Sequence, residues 1–90
     1  MKIVQNDVRY KNMELWVSTV KLDIDHGYNG SHLWYETMIF GKDKEGNIDF
    51  MDKYCNRYAT EEEAREGHNN VLKSLKNETI IYNNGYFELD

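Results

Sequence analysis

The chain contains no proline, one cysteine and no long run of apolar residues. Without proline, the turns have to be made by glycine and asparagine, which both tolerate a positive φ. The single cysteine, Cys55, excludes a framework of intrachain disulfides and lacks the partners of a structural zinc site, so a reducing compartment suits this composition. Nothing approaches the ~20 apolar residues of a transmembrane helix. We therefore expect a soluble, cytoplasmic protein with no membrane contact.

Basic residues are fewer than acidic residues in this chain. Eleven lysines and arginines stand against sixteen aspartates and glutamates, which gives a formal net charge of -5. Nonspecific binding of nucleic acid needs a basic surface, so we expect no direct contact of this protein with DNA or RNA. An acidic protein can still present its carboxylates to a basic surface on a partner.

The length of 90 residues predicts one small α+β domain with room for a single core of two layers. Its core is predicted to cover about residues 14–77. Three stretches within it show the period of two that is typical of strands. These predicted strands are Glu14–Ile24, Leu33–Phe40 and Ile48–Tyr58.

The first predicted strand determines which face of the sheet is expected to lie against the core. Its two faces carry Trp16, Ser18, Val20, Leu22 and Ile24 on one side and Leu15, Val17, Thr19, Lys21 and Asp23 on the other. The second set becomes polar at Lys21 and Asp23, so we expect the face with Trp16 to be the buried one. The corresponding face of the second strand carries Trp34, Glu36, Met38 and Phe40.

A helix is predicted over residues 61–76. Thr60 and Glu63 have the spacing of a capping box, in which the two residues satisfy free N–H groups of the first turn. Glutamates crowd the first turn and lysines the last, as the helix dipole favours. The glycine at Gly67 predicts the close approach of another backbone. The apolar face of this helix carries Ala64, His68, Val71, Leu72 and Leu75.

These elements predict a three-stranded antiparallel sheet in chain order, covered on one face by one helix. Only two residues separate the third strand from the helix, so the chain has to fold directly back onto the sheet. Lys2–Tyr10 is a candidate additional edge strand. Ile80–Leu89 is interrupted by two asparagines and a glycine, and forms either a small hairpin or a partly ordered tail.

Two polar side chains lie on faces that are predicted to be buried. Glu36 lies between Trp34 and Met38 on the second strand, and His68 is in the middle of the apolar face of the helix. A buried carboxylate needs a partner, because desolvating it alone is costly. We favour a structural hydrogen bond between Glu36 and His68. The alternative is a small functional site, with His68 or His26 as base and Glu36 as orienting group.

The predicted tip of the first hairpin carries Asp23, Asp25, His26 and His32. Such side chains suit a divalent metal, but their spacing matches no defined motif, so we favour a solvated turn and expect neither a metal nor a cofactor. Cys55 lies two residues from Arg57, whose charge would lower the pKa of the thiol. We nevertheless favour a small apolar role for Cys55, and we predict no catalytic residue.

Aromatic residues are abundant, with two tryptophans, seven tyrosines and three phenylalanines. One helix covers only one face of a three-stranded sheet, which leaves the other face to the termini or to a second subunit. This other face is predicted to carry Leu15, Val17, Leu33, Tyr35 and Ile39. We therefore expect a two-fold homodimer through Val17, Tyr35 and Ile39. Tyrosine and tryptophan are also common anchors of protein interfaces, which favours a binding protein over an enzyme.

Several segments resemble a family of small, uncharacterised proteins from bacteriophages and prophages. They are VSTV (17–20), LDIDH (22–26), YETMIFG (35–41), RYAT (57–60) and EEAREGH (62–68). The resemblance covers about residues 16–75 and implies a phage-type origin, with the host cytoplasm as the location. It brings no activity and no catalytic residues.

Two classes of function remain. The first is a phage-type accessory protein that is not an enzyme and binds a host protein, for instance to inhibit or modulate a defence or regulatory factor. The second is a binder of a small ligand such as a signalling nucleotide, or a minimal enzyme, with a pocket that involves Glu36, His68 and His26. The candidate binding residues are His26, Tyr35, Glu36, Arg57 and His68.

Overall fold

The computed structural model of the protein describes residues 1–24 and 32–89. The elements in these ranges are β1 (Lys2–Tyr10), β2 (Met13–Lys21), β3 (Tyr35–Lys42), β4 (Ile48–Tyr58), α1 (Glu61–Lys76), β5 (Ile81–Asn83) and β6 (Tyr86–Glu88). Strands β1 to β4 form an antiparallel sheet in the order of the chain, and β5 and β6 form a separate hairpin. The class is therefore α+β, as predicted, but the main sheet has four strands and not three.

The additional strand is β1, which pairs with β2 from the turn to the start of the chain. Tyr10 lies opposite Met13, and the two-residue turn between them contains Lys11 with a φ of 55°. In β1, Val8 and Tyr10 are the buried residues. The other residues of β1 are exposed or half-buried, and most of them are polar. The segment therefore has a weak strand pattern, which is why it was only a candidate. The edge strand at Lys2–Tyr10 is confirmed.

Helix α1 begins and ends at the predicted residues. The backbone N–H of Glu63 donates to Oγ1 of Thr60 over 3.2 Å, and the Thr60 hydroxyl donates to Oε1 of Glu63 over 3.0 Å. This capping box satisfies an N–H that the first turn leaves without a partner inside the helix. The predicted packing of α1 across the sheet is confirmed. Its buried residues are Ala64, His68, Val71 and Leu75.

Helix α1 packs on the face of the sheet that was predicted to be exposed. We call this side the covered face, and its buried residues include Leu15, Val17, Thr19, Thr37 and Ile39. The other side, which we call the open face, carries Trp16, Ser18, Val20, Glu36, Met38 and Phe40. Val17 and Ile39 are 0% exposed beneath the helix. The predicted dimer contact through Val17, Tyr35 and Ile39 is therefore wrong.

The reversed assignment has a local cause at the end of β2. The expectation relied on the polar residues Lys21 and Asp23, which follow Thr19 on the same side of an extended strand. Strand β2 ends at Lys21, so Asp23 lies beyond it and Lys21 takes the exposed last position. Neither residue therefore opposes burial of Leu15, Val17 and Thr19.

The C-terminal hairpin of β5 and β6 completes the core on the covered face. The ring of Phe87 is fully buried and meets the ring of Tyr10 edge-on, with centroids 5.2 Å apart. The Tyr10 hydroxyl donates to the carbonyl of Ile80 over 3.4 Å. At the outer edge of β4, the N–H of Cys55 donates to the Tyr86 hydroxyl over 2.9 Å. Of the two alternatives for residues 80–89, the small hairpin is confirmed.

Gly67 gives α1 room for the ring of Tyr58. A Cβ added at Gly67 would lie 2.1 Å from Oη of Tyr58, far inside van der Waals contact. The neighbour that requires glycine is thus a side chain from the end of β4 and not the backbone that we expected. Close packing of this ring accounts for a glycine that costs about 1 kcal/mol relative to alanine inside a helix.

The remaining boundaries differ little from the predicted ones. Strand β4 has the predicted bounds, β3 begins and ends two residues later than expected, and β2 ends at Lys21 and not at Ile24. Residues 25–31, which form most of the predicted tip of the first hairpin, lie outside the described residues. Helix α1 has neither the length nor the apolar character to cross a membrane.

Candidate functional site

The two polar residues that were predicted to pair, Glu36 and His68, lie on opposite faces of the sheet. Glu36 is on the open face and accepts from Nε of Arg57 over 2.9 Å. His68 lies under α1, where Nδ1 is 2.7 Å from Oγ1 of Thr19 on the covered face. The predicted hydrogen bond between Glu36 and His68 is therefore wrong, because it depended on the reversed faces. A pocket that both residues line is not formed either.

His68 belongs to a chain of four polar side chains between α1 and the sheet. Its Nε2 lies 2.8 Å from Oδ1 of Asn6, which can only accept, so this nitrogen carries the proton. Nδ1 then accepts from the Thr19 hydroxyl. Because Thr19 donates to His68, its oxygen is free to accept from the Thr37 hydroxyl at 2.5 Å. With a neutral imidazole, each of these three hydrogen bonds has one donor and one acceptor.

The environment of His68 keeps the ring neutral. The residue is 0% exposed, and burial lowers its pKa below the ordinary value of 6.5. Both ring nitrogens are occupied by Thr19 and Asn6. A general base needs a free nitrogen within reach of a substrate, and His68 has none in this arrangement. The residue therefore joins the helix to β1 and β2.

Glu36 is the centre of a second polar group, on the open face. The residue is 7% exposed, and its carboxylate accepts from Arg57 and, over 3.5 Å, from Sγ of Cys55. Burial, and then the Glu36 charge, raise the pKa of the Cys55 thiol to about 11, against a smaller opposite effect of Arg57. The thiol is therefore protonated at neutral pH. This disfavours the reactive thiol that the sequence left open.

A row of aromatic rings crosses the open face next to this group. The rings of Trp16 and Phe40 have centroids 5.8 Å apart, and those of Phe40 and Phe50 are 5.5 Å apart. We call these three residues the aromatic row. The pairing of β3 with β4 is irregular between Ile39 and Gly41, and Phe50 lies in the part of β4 opposite this irregularity. Phe50 is 72% exposed, although its ring contacts Phe40.

The aromatic row borders a shallow depression of about 230 Å³. The other residues that line it are Lys2, Ser18, Val20, Glu36 and Met38. Side chains of the other face are separated from it by the sheet itself. The depression is therefore an open, mostly apolar surface that belongs to the four-stranded sheet.

Three basic groups around the aromatic row are paired with carboxylates, and a further one, Lys2, lines the depression itself. Nε of Arg9 donates to Oε1 of Glu14 over 2.7 Å. Lys42 donates to Asp7 across β2. Together with Arg57 and Glu36, these pairs give the open face a rim of three ion pairs. The face thus presents an apolar centre within a rim of both charges.

Of the four candidate residues that the structure describes, it brings together Glu36 and Arg57. Tyr35 is half-buried at the start of β3, opposite Tyr58, and His68 is enclosed under α1. The fifth candidate, His26, lies outside the described residues. Within residues 1–24 and 32–89, no three histidine, cysteine, aspartate or glutamate side chains come together to hold a metal ion.

The sequence pattern did not predict that the aromatic row lies on the open face. Trp16 and Phe40 were placed on the predicted buried face, and Phe50 was assigned to the third strand without a partner. The signal that would have corrected this is Asp23, because aspartate is rare inside strands and marks an earlier end of β2. A shorter β2 removes the argument for burying the face with Trp16.

Comparison with known proteins finds no match to this chain among protein-family models, curated proteins or solved structures. The functional proposal therefore has to rest on the chain's own geometry.

Proposed function

We propose that this protein acts by binding another protein through the open face of its sheet, and not by catalysis. The observation that carries the proposal is Phe50, which is 72% exposed while its ring meets the ring of Phe40 edge-on beside an apolar depression. Exposed, contiguous aromatic surface of this kind marks association sites. Aromatic side chains are also the residues that most often anchor protein interfaces.

The charges of the open face favour a protein partner over a nucleic acid. An aromatic row on an open sheet is also a platform on which single-stranded bases stack. Such platforms need basic groups that are available to phosphates. Here Arg9, Lys42 and Arg57 are each paired with a carboxylate of the same face, which leaves Lys2 at the depression as a basic group for a phosphate. The partner that this chemistry fits has an apolar protrusion framed by charges of both signs.

The polar residues of the chain give little support to an enzyme. His68 is neutral, buried and bonded at both nitrogens. Glu36 is paired with Arg57, and the raised pKa of Cys55 leaves the thiol protonated. These groups have the environment of structural residues, in which each polar atom has a fixed partner.

The class of partner follows from the resemblance to phage and prophage proteins. On the basis of this resemblance, we propose that the partner is a protein of a bacterial host cell. Binding would then inhibit or modulate a defence or regulatory factor of the host. The setting is then the cytoplasm of the host. The open face supplies the surface that contacts this host protein.

The test compares two exposed apolar residues, one inside and one outside the open face. Phe50→Asp places a charge in the aromatic row, and Ile81→Asp is the matched control on the C-terminal hairpin, where Ile81 is 49% exposed. The natural chain and both variants are used to capture proteins from a bacterial host. A protein that only Phe50→Asp loses is then purified, and its affinity for all three chains is measured by calorimetry.

We expect Phe50→Asp to weaken the purified complex by roughly 30-fold or more, since central aromatic anchors contribute about 2 kcal/mol or more. Ile81→Asp should leave the affinity within about twofold. Equal binding by all three chains would remove the open face from the proposal. Binding of a single-stranded oligonucleotide that Phe50→Asp abolishes would assign the face to nucleic acid instead.

A further inference from the structure

The two outer strands of the sheet, β1 and β4, differ in what covers their outer edges. On β4, the Tyr86 hydroxyl accepts from the outward N–H of Cys55, and β6 packs alongside. On β1, β2 pairs with the inner edge and α1 contacts the strand, and within residues 1–24 and 32–89 no strand pairs with the outer edge. A long strand with an uncovered edge offers a row of backbone donors and acceptors to another strand. The edge of β1 is nine residues long.

The pairing of β1 with β2 shows which backbone groups point outward. Tyr10 and Met13 close a two-residue turn, so they exchange backbone hydrogen bonds. Because such bonded pairs alternate along an antiparallel ladder, Val8 and Asn6 also bond to β2. The N–H and C=O groups of Gln5, Asp7 and Arg9 then face away from the sheet. From Val4 to Tyr10, where the register is regular, the outward backbone groups of β1 belong to these three residues.

The side chains of the same three residues are all drawn back over the open face. Nε2 of Gln5 donates to Oγ of Ser18 over 3.1 Å. Asp7 accepts from Lys42, and Arg9 donates to Glu14. Charged side chains commonly shield an edge by reaching across it. Here they are held inward, so the backbone edge of β1 is left accessible.

Strand β1 is also fixed in an extended form before any partner arrives. The N–H of Lys21 donates to the carbonyl of Met1 over 2.7 Å, and the N-terminal ammonium donates to the carbonyl of Lys21 over 3.0 Å. At the other end, the turn holds Tyr10 opposite Met13. A strand that is already ordered pays less conformational entropy when it pairs.

We propose that β1 pairs with β1 of a second copy of this chain, in an antiparallel arrangement about a two-fold axis at Val8. In this register the outward groups of Asp7 bond to those of Arg9 in the second copy, and opposite charges lie across from each other. A register centred on Asp7 would set Asp7 against itself. Pairing further toward the N-terminus meets the irregularity between Lys2 and Val4.

The resulting dimer has one continuous sheet of eight strands. The axis is perpendicular to the plane of the sheet, so both α1 helices lie on the same side and both open faces on the other. The interface uses the edge of β1 and leaves the aromatic row uncovered. This inference therefore stands independently of the binding function proposed for the open face.

The first test measures mass by sedimentation equilibrium between micromolar and millimolar concentrations. The natural chain should approach twice its monomer mass of 10.7 kDa. Asp7→Pro removes one outward N–H, and proline is tolerated in an edge strand when that N–H faces solvent. This variant should stay monomeric, while Asp7→Asn, which keeps the N–H, should still form dimers. Circular dichroism establishes that both variants are folded.

A second test reads the register and does not depend on the proline variant. In a Cys55→Ser chain, Asp7→Cys protein is mixed with Arg9→Cys protein and oxidised. Facing residues of paired strands have Cβ atoms within disulfide reach, so this mixture should form heterodimers faster than either protein alone. Gln5→Cys mixed with Arg9→Cys is the control, because these positions do not face each other in the proposed register.

Three outcomes would overturn the proposal. The first is a monomer mass for the natural chain over the whole concentration range. The second is equal cross-linking in the control mixture. The third is a dimer that Phe50→Asp dissociates and Asp7→Pro does not, which would place the contact on the open face.

Discussion

The Nε2 atom of His68 lies 2.8 Å from Oδ1 of Asn6, so the helix is bonded to the first strand of the sheet through an imidazole that keeps its proton on this nitrogen. The same ring accepts from Thr19 on the next strand. One neutral side chain thus connects α1 to two strands that are joined by a tight turn. Its protonation state is therefore part of the packing of the helix.

We expect the free energy of unfolding to decrease as the pH is lowered through the range where histidine titrates. Burial lowers the pKa of His68 below 6.5, so the unfolded chain binds a proton that the folded chain excludes. The stabilisation is present above the unfolded pKa and is lost as the pH falls below it. Urea unfolding at about pH 7.5 and about pH 5 measures the loss. His68→Gln, which keeps an amide donor but does not titrate, should show a smaller difference.

Double-mutant cycles should show that His68 is energetically coupled to Thr19 and not to Glu36. Thr19→Val leaves Nδ1 of His68 without a donor and should cost about 1–3 kcal/mol. Combined with His68→Leu, it should be non-additive by at least about 0.5 kcal/mol. The pair Glu36→Gln and His68→Leu should add within about 0.5 kcal/mol, because the sheet separates the two residues. Strong coupling in the second cycle would contradict the assignment of the faces.

Because Gly67 packs against the ring of Tyr58, the effect of Gly67→Ala on stability should depend on whether that ring is present. Alanine is favoured over glycine in a helix by about 1 kcal/mol. In the natural chain the new Cβ meets the Tyr58 ring, since Oη lies 2.1 Å from its position. Gly67→Ala should therefore be more favourable by at least about 1 kcal/mol in a Tyr58→Ala chain. The same effect in both chains would show that the ring moves away freely.

Two leucines of α1 should differ in what they contribute to stability. Leu75 is 1% exposed in the core on the covered face, whereas Leu72 is half-buried at its margin. Leu75→Ala should cost about 2–5 kcal/mol, as for a fully buried leucine. Leu72→Ala should cost clearly less, because part of its surface is already in water. Thermal unfolding of both variants checks the order, and a reversed order would mean that α1 is rotated.

The parts of this fold that short-range signals determine could be predicted from the sequence. Thr60 and Glu63 fixed the start of α1 through their capping box. The start of β4 is set by a turn in which Oδ1 of Asp43 accepts from the N–H groups of Glu45 and Asn47, both 2.9 Å away. In each case the residues that make the structure lie within five positions of one another. Such signals do not depend on the rest of the chain.

The choice of the covered face could not be predicted in the same way. Both faces of β2 are apolar, with Trp16 and Val20 on one and Leu15 and Val17 on the other. What decides between them is the space under α1 and the chain of hydrogen bonds that ends at His68. Those contacts join residues up to 62 positions apart. The predicted partner of His68 and the predicted dimer face were wrong for this one reason.

The Cys55 thiol should react slowly, and its two charged neighbours should change the rate in opposite directions. Its pKa of about 11, raised from 9.0, makes the thiolate roughly 100-fold rarer than in an exposed cysteine at the same pH. Glu36→Gln removes a charge that raises the pKa and should speed alkylation by iodoacetamide. Arg57→Gln removes a charge that lowers the pKa and should slow it. The three chains should react equally in urea, and the same native rate in all of them would contradict the role of Glu36 and Arg57.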